Sequence, residues 1–553
     1  MSVGTGPQTY VPYHIHTDYS LLDSCSKFEE YVDMAVSQGI TAIASTEHGK
    51  PLGWISKKLY CDSKGVKFIH GVEIYLTEQL FPKVRDNYHT VLLAKNQAGV
   101  RELNRLVGIS SDEEHFYYTN RISFDEFLQI SDNVIKTSAC LASPLNKLPA
   151  DHPRYMELAN HYDYLEIQPH HCEDQIRYNQ RLFELSKRIG KPLIAGTDTH
   201  NSTPYKAECR RLLMVRKKKS YGNEDDFDLT WKTLDELEAM FASQGALPDE
   251  VFLEAIENTN RMAASIESFD LDKSIKYPIL YGSSEEDSRR FVELTEQKFA
   301  EKIRDGIIPL SQESAFRAAI SEEMRVFQKL NMCGFMLSMS ELVGWCKSQG
   351  MAIGTARGSV GGSRVAYVTD IIDLNPETWH TVFSRFCNEN REEIGDIDVD
   401  VVESDRPAIF QYIISRFGSS HTARVASFGT IAELGAIDDA GGALRVLWES
   451  KHKDSEDENP WALSKIDKIK QLYSSDPQAA KDRYPELFYY FDGLLSTKVS
   501  QSVHPAGMVI SPINLDEEYG VFDKDDERCL VIDMEELHEV GAAKYDLNNR
   551  SRA

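Results

Sequence analysis

Short apolar runs punctuate the first part of the chain at residues 40–44, 66–69, 90–94, 134–137 and 193–195, each the length of a buried strand. Between them, over 27–38 and 175–189, apolar residues recur at helical spacing. Strand, loop and helix in alternation predict a β/α barrel, in which chemistry gathers at the C-terminal ends of the strands. Titratable side chains sit beside these runs. His14 and His16, two apart on an opening strand, share a face and can present two imidazoles to a metal. Asp23 follows that strand. Glu47 and His48 follow the run at 40–44, Glu73 the run at 66–69, Cys140 the run at 134–137, and Asp198 and His200 the run at 193–195. His89 instead begins the run at 90–94. Any one of these residues is more often structural than a ligand. Their recurrence at strand ends is what points to a metal site.

The pattern changes beyond residue 245. Residues 245–330 are acidic, with apolar positions at helix spacing over 254–265 and 288–304, and read as a helical connector. An apolar segment at 332–337 enters a helix that runs through 341–349. The loop at 354–363 then carries Gly354, Gly358, Gly361, Gly362, Ser359 and Ser363. A Gly/Ser loop opening a helix offers backbone N–H groups and small hydroxyls to an anion, and Arg357 adds a charge-assisted contact. No Gly-Lys-Ser/Thr follows, so this is not a Walker loop, and the plainer alternative is a flexible turn. At 395–401, Asp396, Asp398 and Asp400 alternate with Ile397, Val399 and Val401. On a strand, Asp398 and Asp400 project from one face and suit the two cations of phosphoryl transfer. An isolated Asp-x-Asp in an acidic chain is also simply an exposed edge. Residues 440–500 are helical and charged, with Trp448, Trp461, Tyr473, Tyr489 and Tyr490, and read as an inserted helical subdomain.

The 553 residues allow roughly three to four domains. There is no signal-peptide pattern and no apolar run of membrane length, and the nine cysteines include no Cys-x-x-Cys pair. Those features fit a reducing compartment, and a cytoplasmic location is expected. A net charge of -26 argues against a chain that is mainly a nucleic-acid-binding surface, without excluding a local basic groove. The basic run Arg216, Lys217, Lys218 and Lys219, with Arg210 and Arg211 before it, reads as a solvated helix end or a phosphate contact.

The series His14, His16, Asp23, His48, Glu73, His89, Cys140, Asp198 and His200 resembles the ligand set of the polymerase-and-histidinol-phosphatase (PHP) domain, matched position by position. The resemblance implies a distorted β/α barrel holding up to three ions, Zn2+ or Mn2+, with phosphoesterase activity. In polymerases that activity is 3′–5′ exonuclease proofreading. The order of Gly-Ser loop, Phe383-Ser384-Arg385-Phe386-Cys387-Asn388 and Asp-x-Asp resembles the palm of the bacterial replicative DNA polymerase III alpha family, the C family. The likeness extends to Ser427-Phe428-Gly429-Thr430, to Gln501-Ser502-Val503-His504-Pro505-Ala506-Gly507 and to Lys544-Tyr545-Asp546. It implies an α/β multidomain chain. A PHP barrel over 1–245 would precede a connector and start of palm over 246–330. A nucleotidyltransferase-like palm over 331–440 and 501–546 would carry an inserted helical thumb at 441–500, with a tail at 547–553. Asp398, Asp400 and Asp546 would hold two Mg2+ ions, and Asp396 would not be a ligand. Gly358, Ser359, Gly362 and Ser363 would cradle the incoming dNTP, with Arg357, Arg391 and Lys544 on its phosphates. Primer–template DNA and dNTPs are the implied partners.

Two departures qualify the likeness. Leu434 and Asp438 stand where the family usually carries Lys and then Arg, so two positive charges near a triphosphate are lost; Arg424 and Arg445 are candidates to compensate. The family continues past the third Asp with fingers, duplex-binding and sliding-clamp elements, whereas here 547–553 end the sequence. The expectation is therefore a split or truncated polymerase that extends primers only with a C-terminal polymerase fragment, and meets the clamp only through that part. The alternatives are a stand-alone metal-dependent 3′–5′ exonuclease or phosphoesterase with an idle palm, and a non-catalytic half of a split polymerase.

Overall fold

The computed structural model describes residues 7–220, 227–389, 397–453, 458–524 and 526–549. Two compact units emerge: Met1–Phe269 with Ser427–Ser502, and Asp270–Ala426 with Val503–Ala553.

The first unit is built on β1 (Ala42–Ser45), β2 (Lys67–Thr77), β3 (Tyr88–Ala94), β4 (Ile122–Ser123), β5 (Val134–Thr137), β6 (Leu165–Ile167) and β7 (Leu193–Ala195). β1, β2, β3 and β5 are hydrogen-bonded in that order, β4 adds to β2, and β6 pairs with β7. A bridge from Thr137 to Tyr164 joins β5 to β6, and a bridge from Ile15 to Thr199 joins β7 to the opening segment. That segment returns to β1 through Ala44 N–H to Pro12 O (3.1 Å) and Thr46 N–H to Ile15 O (3.1 Å). The ring is thus closed and leaves no open edge in the barrel.

β3 runs antiparallel to both β2 and β5, while β1–β2 and β6–β7 are parallel. The reversal explains why His89 begins its strand where its counterparts follow theirs. The start of β3 lies on the same rim as the ends of β2 and β5. The helices between strands have ordinary local causes. Glu173–Ile189 has Cys172 as N-cap, acids Glu173 and Asp174 in its first turn, bases Lys187 and Arg188 in its last, and Gly190 at φ 71° as C-cap.

The barrel unit extends past the expected boundary at 245. The helix Asp249–Ser265 buries Phe252, Ala255, Ile256, Met262 and Ala263. Met262, Ala263 and Ile266 join Val11, Tyr13, Ala44 and Ile69 in one apolar cluster. Residues 441–500, expected as a thumb inserted in the palm, fall in this unit as part of Ser427–Ser502. The helices Glu433–Lys451, Leu463–Ser475, Pro477–Arg483 and Pro485–Leu494 share a core with Cys209, Leu212 and Leu213 of the helix Pro204–Lys217. Two members of the basic run meet this contact. Lys217 Nζ lies 2.9 Å from Asp439 Oδ1, and Arg216 Nε lies 3.3 Å from the same oxygen.

The second unit is a six-stranded sheet of β8 (Asp398–Val401), β9 (Thr422–Thr430), β10 (Lys498–Ile510), β11 (Val521–Lys524), β12 (Glu527–Asp533) and β13 (Lys544–Asn549), in the order β11-β12-β9-β10-β13-β8. The helices Ser284–Arg304, Glu313–Lys329 and Cys333–Ser348 bury Phe291, Phe316, Phe327, Phe335 and Met339 against Val399, Val401, Tyr545 and Leu547 of β8 and β13. Val399 and Val401 face inward, so Asp398 and Asp400 face out. Among the described residues, no helix is long and apolar enough to cross a membrane.

Candidate metal centres

The expected barrel ligands converge on one rim. Glu73 is the hub. His16 Nε2 is 3.2 Å and His48 Nδ1 2.8 Å from Glu73 Oε2, and His89 Nδ1 contacts Glu73 Oε1. Asp198 Oδ1 lies 3.3 Å from Nε2 of both His14 and His16. Asp23 Oδ2 lies 3.0 Å from His48 Nε2 and 3.4 Å from His200 Nε2. Cys140 Sγ is 3.6 Å from His89 Nδ1. Three overlapping sets, His16/His48/His200, His14/His16/Glu73 and Glu73/His89/Cys140, each bring their donor atoms within 4.8 Å of one another.

The chemistry of this cluster fits a metal. His14 Nε2, His16 Nε2, His48 Nδ1, both Glu73 oxygens and Asp198 Oδ1 are buried and make no hydrogen bond of acceptable geometry. Buried polar atoms left this way are rare and costly in a folded protein. Burial opposes charge on Glu73, but the His89 and His48 imidazoles overcome it and hold the carboxyl well below its usual range. Burial also opposes charge on Asp23, and His200, His48 and Arg210 hold it low. Buried anions with imidazole and thiol neighbours form a divalent-metal donor set. Asp198 and Ala139, on the loops after β7 and β5, have φ of 47° and 55°. A side chain in that region costs about 1 kcal/mol, which the packed rim must hold.

A second layer, missed in the sequence, orients these ligands. Glu166, fully buried in β6, accepts from His14 Nδ1 (2.7 Å), Tyr13 OH (2.9 Å), Gln168 Nε2 (2.8 Å) and Thr137 Oγ1 (3.1 Å). It turns Nε2 of His14 toward Asp198 and Glu73. Glu47, noted only as a neighbour of His48, accepts from Thr17 N–H (3.0 Å), Thr17 Oγ1 (2.6 Å) and Ser20 Oγ (2.6 Å), and Ser20 Oγ lies 3.1 Å from His16 Nδ1. Arg210 is neither solvated nor aimed at a phosphate; its Nε donates to Asp23 O (2.7 Å) and Oδ1 (3.1 Å). The one available signal for Glu166 was an acid inside an otherwise apolar strand, between Leu165 and Ile167.

In the second unit β8 and β13 pair in parallel, with Asp398 opposite Asp546 and Asp400 opposite Asn548. The three expected carboxylates therefore share one face of two adjacent strands. Protein cations attend them: Arg357 Nη1 donates to Asp400 Oδ1 (2.8 Å), Arg357 Nε lies 3.6 Å from Asp398 Oδ2, and Lys544 Nζ is 2.6 Å from Asp546 Oδ2. Asp546 Oδ1 is buried and unpartnered, which again suits a cation. Asn548, not anticipated, donates from Nδ2 to Asp398 Oδ1 (2.9 Å). The Gly-Ser loop lies against β8. Gly354 N–H donates to Asp400 O (2.8 Å), and a Cβ on Gly354 would sit 2.7 Å from that of Asp400. Arg357 and Gly358 are exposed and Ser359 half-buried, but Gly362 and Ser363 are buried, contrary to their expected place around a triphosphate. Arg391 and Asp396 lie outside the described residues.

The family description "Bacterial DNA polymerase III alpha NTPase domain" matches residues 289–547, and the PHP domain description matches residues 12–186. Residues 289–547 are thus similar to the bacterial DNA polymerase III alpha NTPase domain, and residues 12–186 to the PHP domain. It is 27% identical to DNA polymerase III subunit alpha of Treponema pallidum (strain Nichols) over 577 residues, covering 97% of this chain and 47% of that protein. The subunit of the same name from Borreliella burgdorferi is 28% identical over 576 residues, covering 97% of this chain and 48% of that protein. The chain spans about half the length of the curated relatives it matches.

Leu434 is 47% exposed, and Asp438 is 2.9 Å from Lys470 Nζ. Arg424 is buried and committed to His504 O (2.8 Å), Gly507 O (3.1 Å) and Glu527, so it is not available to a triphosphate. Arg445 lies 3.8 Å from Glu449.

Proposed function

We propose that the chain is the catalytic core of a DNA-directed DNA polymerase. Its palm would transfer a deoxynucleoside monophosphate from a dNTP to a primer 3′-hydroxyl, and its barrel would hydrolyse phosphodiesters at DNA 3′ ends. The observation that carries the first reading is the β8–β13 register, which puts Asp398 beside Asp546 with Asp400 on the same face. The family match and the relatives named DNA polymerase III subunit alpha support it.

Asp398, Asp400 and Asp546 would hold two Mg2+ ions. Such ions, when bound, acidify the attacking hydroxyl and neutralise charge on the transferring phosphate. With those carboxylates neutralised, the Arg357 guanidinium and the Lys544 ammonium are left to pair with phosphate oxygens. Gly358 and Ser359 add an amide and a hydroxyl at the exposed turn of the loop.

The barrel reading rests on the converging donors around Glu73. Thiolate with imidazole favours Zn2+, and carboxylate with imidazole also suits Mn2+. Loaded, the cluster supplies Lewis acidity for attack of water on a phosphodiester. Glu166 keeps His14 in the tautomer that presents Nε2, and Glu47 does the same for His16 through Ser20.

The test uses the whole chain with Mg2+ or Mn2+ and a 3′-labelled single strand, and for primer extension adds a C-terminal polymerase fragment and a primer–template. Asp398→Asn and Asp546→Asn should abolish primer extension and leave release of the label intact. His14→Ala should abolish label release and leave triphosphate binding intact. Extension that survives Asp546→Asn refutes the palm assignment, and label release that survives His14→Ala refutes the barrel assignment.

A further inference from the structure

Glu323, on the helix Glu313–Lys329, is a carboxylate that is 2% exposed and has no lysine or arginine side chain hydrogen-bonded to it among the described residues. Its three partners lie at residues 363–365, where the Gly-Ser loop ends. Oε1 accepts from Arg364 N–H (2.9 Å), and Oε2 accepts from Val365 N–H (3.0 Å) and Ser363 Oγ (2.7 Å). Ser363 Oγ in turn accepts from Ala366 N–H (3.0 Å). Burial outweighs these donors and raises the Glu323 carboxyl to about 7, and the anion is the form that accepts all three.

This bonding gives the loop a fixed base beneath an exposed turn. At the base, Arg364 Nη1 grips Gly362 O (2.9 Å) and Thr381 O (3.1 Å), and a Cβ on Gly362 would sit 2.4 Å from Val382 O. At the turn, Arg357 and Gly358 are exposed, and Gly358 has φ 72°. The amides that a phosphate would otherwise take at Arg364 and Val365 are already filled by Glu323.

We propose that Glu323 is a positioning residue for the triphosphate. By anchoring residues 363–365 from another helix, it sets the Arg357–Ser359 turn against Asp398 and Asp400 and confines phosphate contact to that turn. This rests on the palm reading above.

Glu323→Gln tests it. Glutamine keeps the volume but offers one acceptor oxygen, so at least one of the two amides faces an NH2 group. Amide exchange over residues 357–366 should quicken by about tenfold, with exchange in the barrel unchanged. Affinity for a fluorescent dNTP analogue with Mn2+ should fall by about tenfold in parallel. Glu323→Asp, which keeps the charge, should recover part of both. Unchanged exchange over 357–366 in Glu323→Gln overturns the proposal, as does faster exchange with unaltered dNTP affinity. Asp546→Asn separates the two claims. If dNTP affinity survives that change, the palm reading fails, and the exchange result still decides whether Glu323 holds the loop.

Discussion

Replacing Glu166 by Gln removes one negative charge from beneath His14 and keeps the shape of the side chain. The four groups on Glu166 divide evenly: His14 Nδ1 (2.7 Å) and Gln168 Nε2 (2.8 Å) on Oε1, Tyr13 OH (2.9 Å) and Thr137 Oγ1 (3.1 Å) on Oε2. A glutamine placed with its oxygen at Oε1 keeps the first two. Its NH2 meets two hydroxyls, which can turn and accept from it. What is lost is the charge assistance on His14. Hydrogen bonds to charged groups contribute about 1.5–3 kcal/mol and neutral ones about 0.5–1.5, a difference of about 1–1.5 kcal/mol. Since about 1.4 kcal/mol is tenfold, metal affinity in the barrel should fall by about tenfold, within the range seen when such supporting carboxylates are removed. The assay is equilibrium dialysis against a graded chelator with metal counted by mass spectrometry, alongside a thermal melt. Glu166→Gln should bind more weakly at nearly unchanged Tm. Glu166→Ala should also melt early, because His14 and Gln168 are then left as buried, unpaired donors. If Glu166→Gln binds as tightly as the wild type while His14→Ala binds nothing, the carboxylate does not orient His14 and the argument fails.

Away from the metal sites, His115 sits 2.7 Å from both Asp112 and Glu126. Burial lowers its pKa, but the two carboxylates prevail and raise it to about 9, while burial of Glu126 is likewise outweighed and its carboxyl falls to about 2. The raised histidine contributes stability in full below its unfolded value of about 6.5, and that contribution is lost as pH rises through 9. The wild type should therefore lose Tm between pH 7 and pH 10 relative to His115→Gln; parallel profiles would contradict this. Asp439, 7% exposed, holds Lys217 and Arg216 at the contact between the helices Glu433–Lys451 and Pro204–Lys217. Asp439→Asn should raise local opening of Glu433–Lys451 by about 1–2 kcal/mol of lost protection in hydrogen exchange, little altered by salt. Unaltered protection would mean the pair adds nothing to the contact.

Much of both candidate sites was legible from local pattern alone. The period-two spacing of His14 with His16 and of Asp398 with Asp400 puts each pair on one face of a strand, whatever that strand later meets. Short apolar runs announce buried strands, and donors flanking those runs announce a rim. The barrel donors and the Asp398–Asp400 pair stand out on that pattern, whereas Asp546 and the complete nine-residue set were named only through the family resemblance; the structure brings Asp546 beside Asp398 and gathers the barrel donors around Glu73 and Asp198.

Periodicity tells which face of an element is buried but not against what. The closing bridge joins Ile15 to Thr199, and no local pattern records such a pairing. The same limit hid the reversal of β3, the seating of Asp249–Ser265 on the barrel and the place of residues 427–502 in the barrel unit. It also hid three polar residues that act by filling a neighbour's hydrogen-bond demand. Glu166 serves a histidine 152 positions earlier, Glu323 serves an amide 41 positions later, and Asn548 serves an aspartate 150 positions earlier. Conversely, Gly362 and Ser363 looked like phosphate ligands because a Gly-Ser loop reads as exposed, yet folding buried them against Val382 and Glu323. By itself the sequence determined which donors this protein has and which strands carry them. Tertiary structure decided which donors are oriented, which amides are already taken and which remain to meet a ligand, because a buried polar atom must be satisfied by whatever the fold brings beside it.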